Sequence, residues 1–192
     1  MEIVKYIIDN STQMVESGGL LIGFFLVFLE CFIPALPLSV FVALNVNAFG
    51  FFTGCIVSWI ATCFGSFICY KFFSLINSKL SNKFLSKKYI KIIKSKVDKF
   101  EKIRFTELVL IITLPFTPSS LINILCGLTS INQKKFICSL LIGKFFMIFF
   151  WGYIGKSFIE SLTDWKSFIY IVLALLFSYV ISKLINKKLN IE

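Results

Sequence analysis

Two charges of opposite sign stand in otherwise apolar stretches, and they are the residues of this chain best suited to chemistry. Glu30 interrupts the run Phe28-Leu29-Glu30-Cys31-Phe32-Ile33, and Lys144 lies eight residues into the apolar run that starts at Phe136. An ionisable side chain in hydrocarbon is costly enough to be a functional candidate by default. A carboxylic acid can lose its charge by taking up a proton, so Glu30 suits a proton-linked or gating role. Lys144 can attract a phosphate or pair with Glu30, the plain alternative being a lysine that snorkels to the interface. Asn45, Asn47 and Asn123, with Ser39, Thr117, Ser119 and Ser120, offer uncharged donors and acceptors to a solute, or to helix caps and interhelical bonds. Other chemistries lack their residues. The chain has no histidine, which excludes imidazole catalysis and histidine-containing metal sites. Its six cysteines (Cys31, Cys55, Cys63, Cys69, Cys126 and Cys138) include no C-x-x-C pair and read as small buried apolar residues. No convincing set of nucleophile, base and metal can be assembled, so neither an enzyme nor a cofactor is expected.

What must position these residues is a pair of breaks. Pro34 and Pro37 stand four and seven residues after Glu30, and Pro115 and Pro118 repeat the Pro-x-x-Pro spacing 81 residues later, from 34 to 115 and from 37 to 118. Proline removes a backbone donor and breaks a helix, which hydrocarbon tolerates only where protein or water satisfies the freed groups. Two copies at matching places argue for a site rather than for simple kinks.

The surroundings of the breaks are those of a membrane protein. With 57% apolar residues, 24 Phe and a mean hydropathy of +0.87, 192 residues cannot hide their apolar surface in a soluble core. The net charge of +10 comes from lysines between and beside apolar runs, which fits anionic headgroups and not nucleic acid. No signal-peptide pattern is expected, because Glu2, Lys5 and Asp9 interrupt the first apolar residues.

In chain order, residues 1–17 read as at best an interfacial helix ended by Gly18-Gly19. Residues 20–33 are too short to cross a bilayer, so with the second run, 38–50, they read as a helix-break-helix hairpin that enters and leaves on one face; the alternative is one long kinked span. Residues 51–76 can span, with Gly54, Ser58, Gly65 and Ser66 as close-packing faces and Tyr70-Lys71 at the interface. Residues 79–104 hold nine lysines and one arginine against Asp98 and Glu101, with apolar residues at helical spacing. That predicts a basic amphipathic helix, cytoplasmic by the positive-inside rule, with Lys87, Lys88, Lys91 and Lys94 on lipid headgroups or simply in solvent. Residues 105–131 repeat the hairpin, with Glu107 at its mouth. Gly50 and Gly127 are expected to end the second arms. Residues 136–158 span, and 165–185 form a last span with the C-terminus inside.

The predicted fold is therefore an all-α polytopic membrane protein. One membrane domain over 1–192 comprises a first half-repeat (1–76), the basic helix (79–104), a second hairpin and span (105–158) and an extra C-terminal helix (165–185). Inserted in opposite senses, the two units make an inverted repeat, an architecture of many transporters.

Glu30-x-x-x-Pro34-x-x-Pro37 with Asn47-x-Phe49-Gly50, then Pro115-x-x-Pro118-x-x-x-x-Asn123-x-x-x-Gly127-Leu128-Thr129, and Ile142-Gly143-Lys144, resemble the VTT domain of the DedA superfamily, in its SNARE-associated Golgi protein-like branch. The resemblance covers residues 20 to 158 and implies opposed re-entrant hairpins and lipid translocation: flipping or scrambling of phospholipids, or return of undecaprenyl phosphate, sometimes tied to the proton gradient. Carried over by position, Glu30 matches the acid ahead of the first break. The chain departs from the family at Ser39, where many members have an acid, and at Ile112-Thr113-Leu114, where many have an arginine. The expectation is a plasma-membrane lipid translocase whose partners are anionic or phosphate-bearing lipids, with a homo-oligomer left open. A small-solute transporter and a scaffold acting through the basic helix are the alternatives.

Overall fold

The computed structural model describes residues 2–33, 36–80, 103–129, 131–161, 173, 175–181 and 183–184. Pro34, the basic stretch from 81 to 102 with Lys87, Lys88, Lys91 and Lys94, and much of the expected last span lie outside the described residues. Among those described the secondary structure is all helical, without strands.

Seven helices have defined bounds: α1 (Glu2–Ser17), α2 (Gly19–Glu30), α3 (Leu38–Phe49), α4 (Phe51–Leu80), α5 (Phe105–Thr113), α6 (Ser119–Leu128) and α7 (Gln133–Ser161). Residues 175–181, within the expected last span, are also helical. At 1.5 Å per residue, the 12 residues of α2 and of α3 reach only about 18 Å, short of a hydrocarbon core of about 30 Å. Two helices are long and apolar enough to cross, in the segments Phe51–Leu75 and Gln133–Ser157. The polar run from Asp9 to Gln13 does not divide α1: its exposed face carries Asp9 and Asn10 while Thr12 and Val15 are buried. A bend of 113° separates α1 from α2, and Gly19 makes it with a φ of +66° that L-residues rarely adopt.

The two breaks are built alike. Pro37 and Pro118 each occupy the N-cap position of the following helix in extended conformation. Proline serves there because the N–H it lacks would have had no helical partner. Before each, the same turn recurs at the same 81-residue offset: Leu36 N–H donates to Ile33 O at 3.1 Å, and Thr117 N–H donates to Leu114 O at 3.3 Å. The carbonyls of Ile33 and Leu114, which Pro37 and Pro118 leave without a helical donor, are thus satisfied locally. Phe116, between the second pair of prolines, is fixed by edge contacts to Trp151 and Tyr179.

Helices in lipid gain little from hydrophobic burial against one another, so close backbone approach decides their packing. The first arms pack on the spans that follow them, α2 on α4 and α5 on α7; of the second arms, α3 packs on both spans, α4 and α7, and α6 packs on α4. Two apolar clusters result. One gathers Val27, Leu38, Val42, Val46, Cys55, Ala61, Met147 and Ile148; the other is built around Tyr70, Leu108, Ile111, Ile122, Cys126 and Phe136.

Three expectations need correction. Gly50 ends α3 with a φ of +80°, but Gly127 does not end its arm. It lies inside α6, where a Cβ would stand 2.6 Å from the Tyr70 carbonyl oxygen and 2.7 Å from Phe73 Cβ, so its role is to let α6 approach α4. Tyr70 does not face outward as a lipid-facing anchor would: it is buried, stacked on Phe136 at 4.4 Å, and donates its hydroxyl to Ile131 O at 3.2 Å. Cys138 is exposed and Cys63 half-buried, whereas the other four cysteines are buried as expected.

Candidate functional site

Between the two apolar clusters lies a polar one. It draws on the end of α2 (Glu30, with the next residue Cys31), the middle of α4 (Thr62, Ser66), the break and start of α6 (Thr117, Ser119, Asn123) and α7 (Lys144). Glu30 is 6% exposed and Lys144 2%, so these are buried charges and not snorkelling ones. Lys144 Nζ donates to Ser119 Oγ at 2.5 Å and lies 3.6 Å from Met147 Sδ. The Lys144 charge also acts on the Glu30 carboxylate. Among the described residues Glu30 and Lys144 form no direct ion pair, and the Lys144 ammonium is held by Ser119. A second limb runs from Asn123, whose Nδ2 donates to Ser66 Oγ at 3.0 Å. Ser66 donates to Cys31 Sγ at 3.7 Å, and the thiol lies 3.9 Å from Glu30 Oε2 and 3.5 Å from Thr62 O.

Thr117, Ser119, Asn123 and Lys144 line a cavity of about 10 Å³, walled on its apolar side by Ile111, Ile112 and Ile122. That is room for about one water. Thr117 Oγ1 is buried there without a protein partner. The side chains of Thr117, Ser119 and Ser120 do not cap α6, so the capping alternative fails for all three.

The remaining expected site residues stand elsewhere. Asn45 donates to Gly23 O at 3.1 Å and Ser58 Oγ at 2.9 Å, clamping α2, α3 and α4 together. Asn47 donates to Thr12 Oγ1 at 2.8 Å and holds α3 on α1. Both are structural ties. Exposed Pro37 and Pro118 and half-buried Pro115 shape the breaks, and half-buried Ser39 is outside the hydrogen-bonded cluster. Glu107 pairs with Arg104 at 2.6 Å and accepts the Arg104 backbone N–H at 2.9 Å, so it secures the start of α5. Sequence reasoning missed Cys31 and Thr62 as parts of the site and took Ser66 for packing alone. A signal was present: Ser58, Thr62 and Ser66 recur every fourth residue along one face of an apolar helix, and all three are fully buried.

The VTT domain matches residues 33–157, most of the chain and all of the span from the first break to α7. The chain belongs to the VTT-domain family. The membership expected from the two Pro-x-x-Pro motifs therefore holds. This VTT protein is also 30% identical over 186 residues to the "uncharacterized membrane protein YhjE" of Bacillus subtilis (strain 168), covering 94% of this chain and 86% of that protein. No solved structure matches it. A membrane protein with helices of this length and apolarity is integral to the bilayer. Within the VTT segment fall Thr117, Ser119, Asn123 and Lys144, whereas Glu30 precedes it.

Proposed function

We propose that the protein moves a phosphate-bearing lipid between the leaflets of a plasma membrane of bacterial type. The observation that carries this reading is the buried Glu30, Ser119 and Lys144 cluster, which brings opposite charges from both units together in apolar surroundings. A carboxylate or ammonium is kept there only at a cost of several kcal/mol, about the scale of buried-ion desolvation, so its retention argues for use. The two breaks are the tips of re-entrant hairpins inserted in opposite senses. Their matching turns and the matching N-cap prolines support an inverted repeat. The basic stretch over 79–104 and the C-terminus face the cytoplasm by the positive-inside rule. The headgroup passes along the polar hairpin residues while its tails stay in lipid. Lys144 attracts it, and Glu30 acts as the proton-linked or gating group.

Vesicles containing the purified protein and labelled phospholipids or polyprenyl phosphates test this reading. Accelerated leaflet exchange is expected, and its absence for every lipid of the panel would refute the reading. Uptake of a soluble solute without lipid movement would instead mark a secondary transporter. A Glu30→Gln protein that kept full activity at every pH would remove the role given to Glu30.

A further inference from the structure

Lys144 stands near the middle of the apolar segment Gln133–Ser157, and its ammonium has three N–H donors. Ser119 Oγ takes one at 2.5 Å, and the weak acceptor Met147 Sδ lies at 3.6 Å. Among the described residues no carboxylate comes within ion-pair range of it, although Glu30 is near enough for the two charges to act on one another. A buried ammonium held only by neutral groups is poorly compensated for its lost water. The cavity beside it is lined by further donors. Thr117, 4% exposed, has its hydroxyl there without a partner among the described residues. Asn123 gives one amide proton to Ser66 and keeps a second that no described residue accepts. At the same wall α6 begins with Ser119, and no side chain caps its first turn, so the positive end of a 10-residue helix adds to the lysine. Ile111, Ile112 and Ile122 complete the lining, which contains no carboxylate.

We propose that this chamber is a binding site for a monatomic anion, chloride under cellular conditions, held by Lys144, the Thr117 hydroxyl and the start of α6. Size and charge select that ligand together. A water fills the same volume but leaves the ammonium charge unbalanced. A phosphate group, with its oxygens spread around phosphorus, does not fit a cavity of about 10 Å³. A halide is close to water in size and supplies the missing negative charge. The site goes beyond the translocase reading and does not rest on it; where a lipid is moved, the halide must leave before Lys144 takes a headgroup oxygen.

The test is equilibrium binding of radiolabelled chloride to the purified full chain in a non-ionic detergent, at constant ionic strength made up with gluconate. Wild type should bind about one chloride per chain, the capacity of a one-water cavity, displaced by bromide and not by phosphate. Lys144→Met should abolish binding. Thr117→Val, which keeps the side chain's shape, should weaken it about tenfold, the effect of losing a hydrogen bond to a charged group, and keeps the test decisive if Lys144→Met fails to fold. Lys134→Met removes the same charge from the exposed start of α7 and should leave affinity within about twofold of wild type, because a solvated charge contributes little. The proposal is overturned if wild type binds no chloride saturably, if Lys144→Met or Thr117→Val binds as wild type does, or if phosphate competes as well as bromide. Leaflet exchange measured on vesicles of the same preparation separates the two ideas. Chloride binding without lipid exchange leaves the anion site standing and removes the translocase; exchange by a protein that binds no chloride does the reverse.

Discussion

Gly127→Ala decides between two roles for that glycine by the sign of its effect. If Gly127 only ended a helix or lay in one by chance, alanine would add about 0.8–1 kcal/mol of helix propensity and stabilise the protein. The structure predicts the opposite. The new Cβ would lie 2.6 Å from Tyr70 O, 2.7 Å from Phe73 Cβ and 3.2 Å from Ser74 N, two of them backbone atoms that no rotamer change can move. Ordinary C···O contacts start at about 3.3 Å, so α6 must retreat from α4 by about 0.7 Å. That overpacking costs about 1–3 kcal/mol. The same retreat stretches the 3.0 Å bond from Asn123 to Ser66 beyond a useful length and forfeits about 0.5–1.5 kcal/mol more. Set against the propensity gain, the net loss is about 1–3 kcal/mol. Reversible unfolding in mixed micelles, titrated with sodium dodecyl sulfate, measures it. A Gly127→Ala protein as stable as wild type, or more stable, would refute the close-approach argument.

Two other perturbations test separate parts of the fold. A double-mutant cycle on Asn47 and Thr12 should return a coupling of about 0.5–1.5 kcal/mol, as interhelical hydrogen bonds in membrane proteins do, and a coupling near zero would deny that Asn47 fastens α3 to α1. At the mouth of α5, the hydrogen bonds from the Arg104 side chain and backbone hold the Glu107 carboxyl below its ordinary value of 4.5. A depressed acid stabilises the fold above its unfolded value and loses that contribution as pH falls through the folded one. Glu107→Gln should therefore flatten the fall in melting temperature between about pH 5 and pH 3, a window set by that ordinary value; an unchanged slope would contradict the assignment.

The breaks were the most legible part of the chain, because proline acts locally and Pro37 and Pro118 carry their N-cap geometry with them. The short arms were legible for a related reason, since length against bilayer thickness is arithmetic on consecutive residues. Gly50 was legible and Gly127 was not, as one answers to its own φ and the other to a helix some 55 residues earlier in sequence, at Tyr70 and Phe73. Tyr70 misled in the same way: beside Lys71 it has the composition of an interface, and only its partner Phe136 makes it core. In the site, Glu30 and Lys144 announced themselves by their cost in lipid. That Lys144 would bond Ser119 could not be read, because a serine after a proline serves equally as a cap, a ligand or a bridge.

The polar stripe of α4 has a consequence for how the protein could be divided. Ser58 answers Asn45 of the first unit and Ser66 answers Asn123 of the second, so one helix carries hydroxyls meant for both. A chain cut after α4 would turn Ser66 toward hydrocarbon without its bond from Asn123, and the Glu30 carboxylate without the Lys144 charge. The two units are thus alike in outline but not self-sufficient. What joins them is a shared inventory of donors and acceptors, more than the segment of chain that connects one to the next.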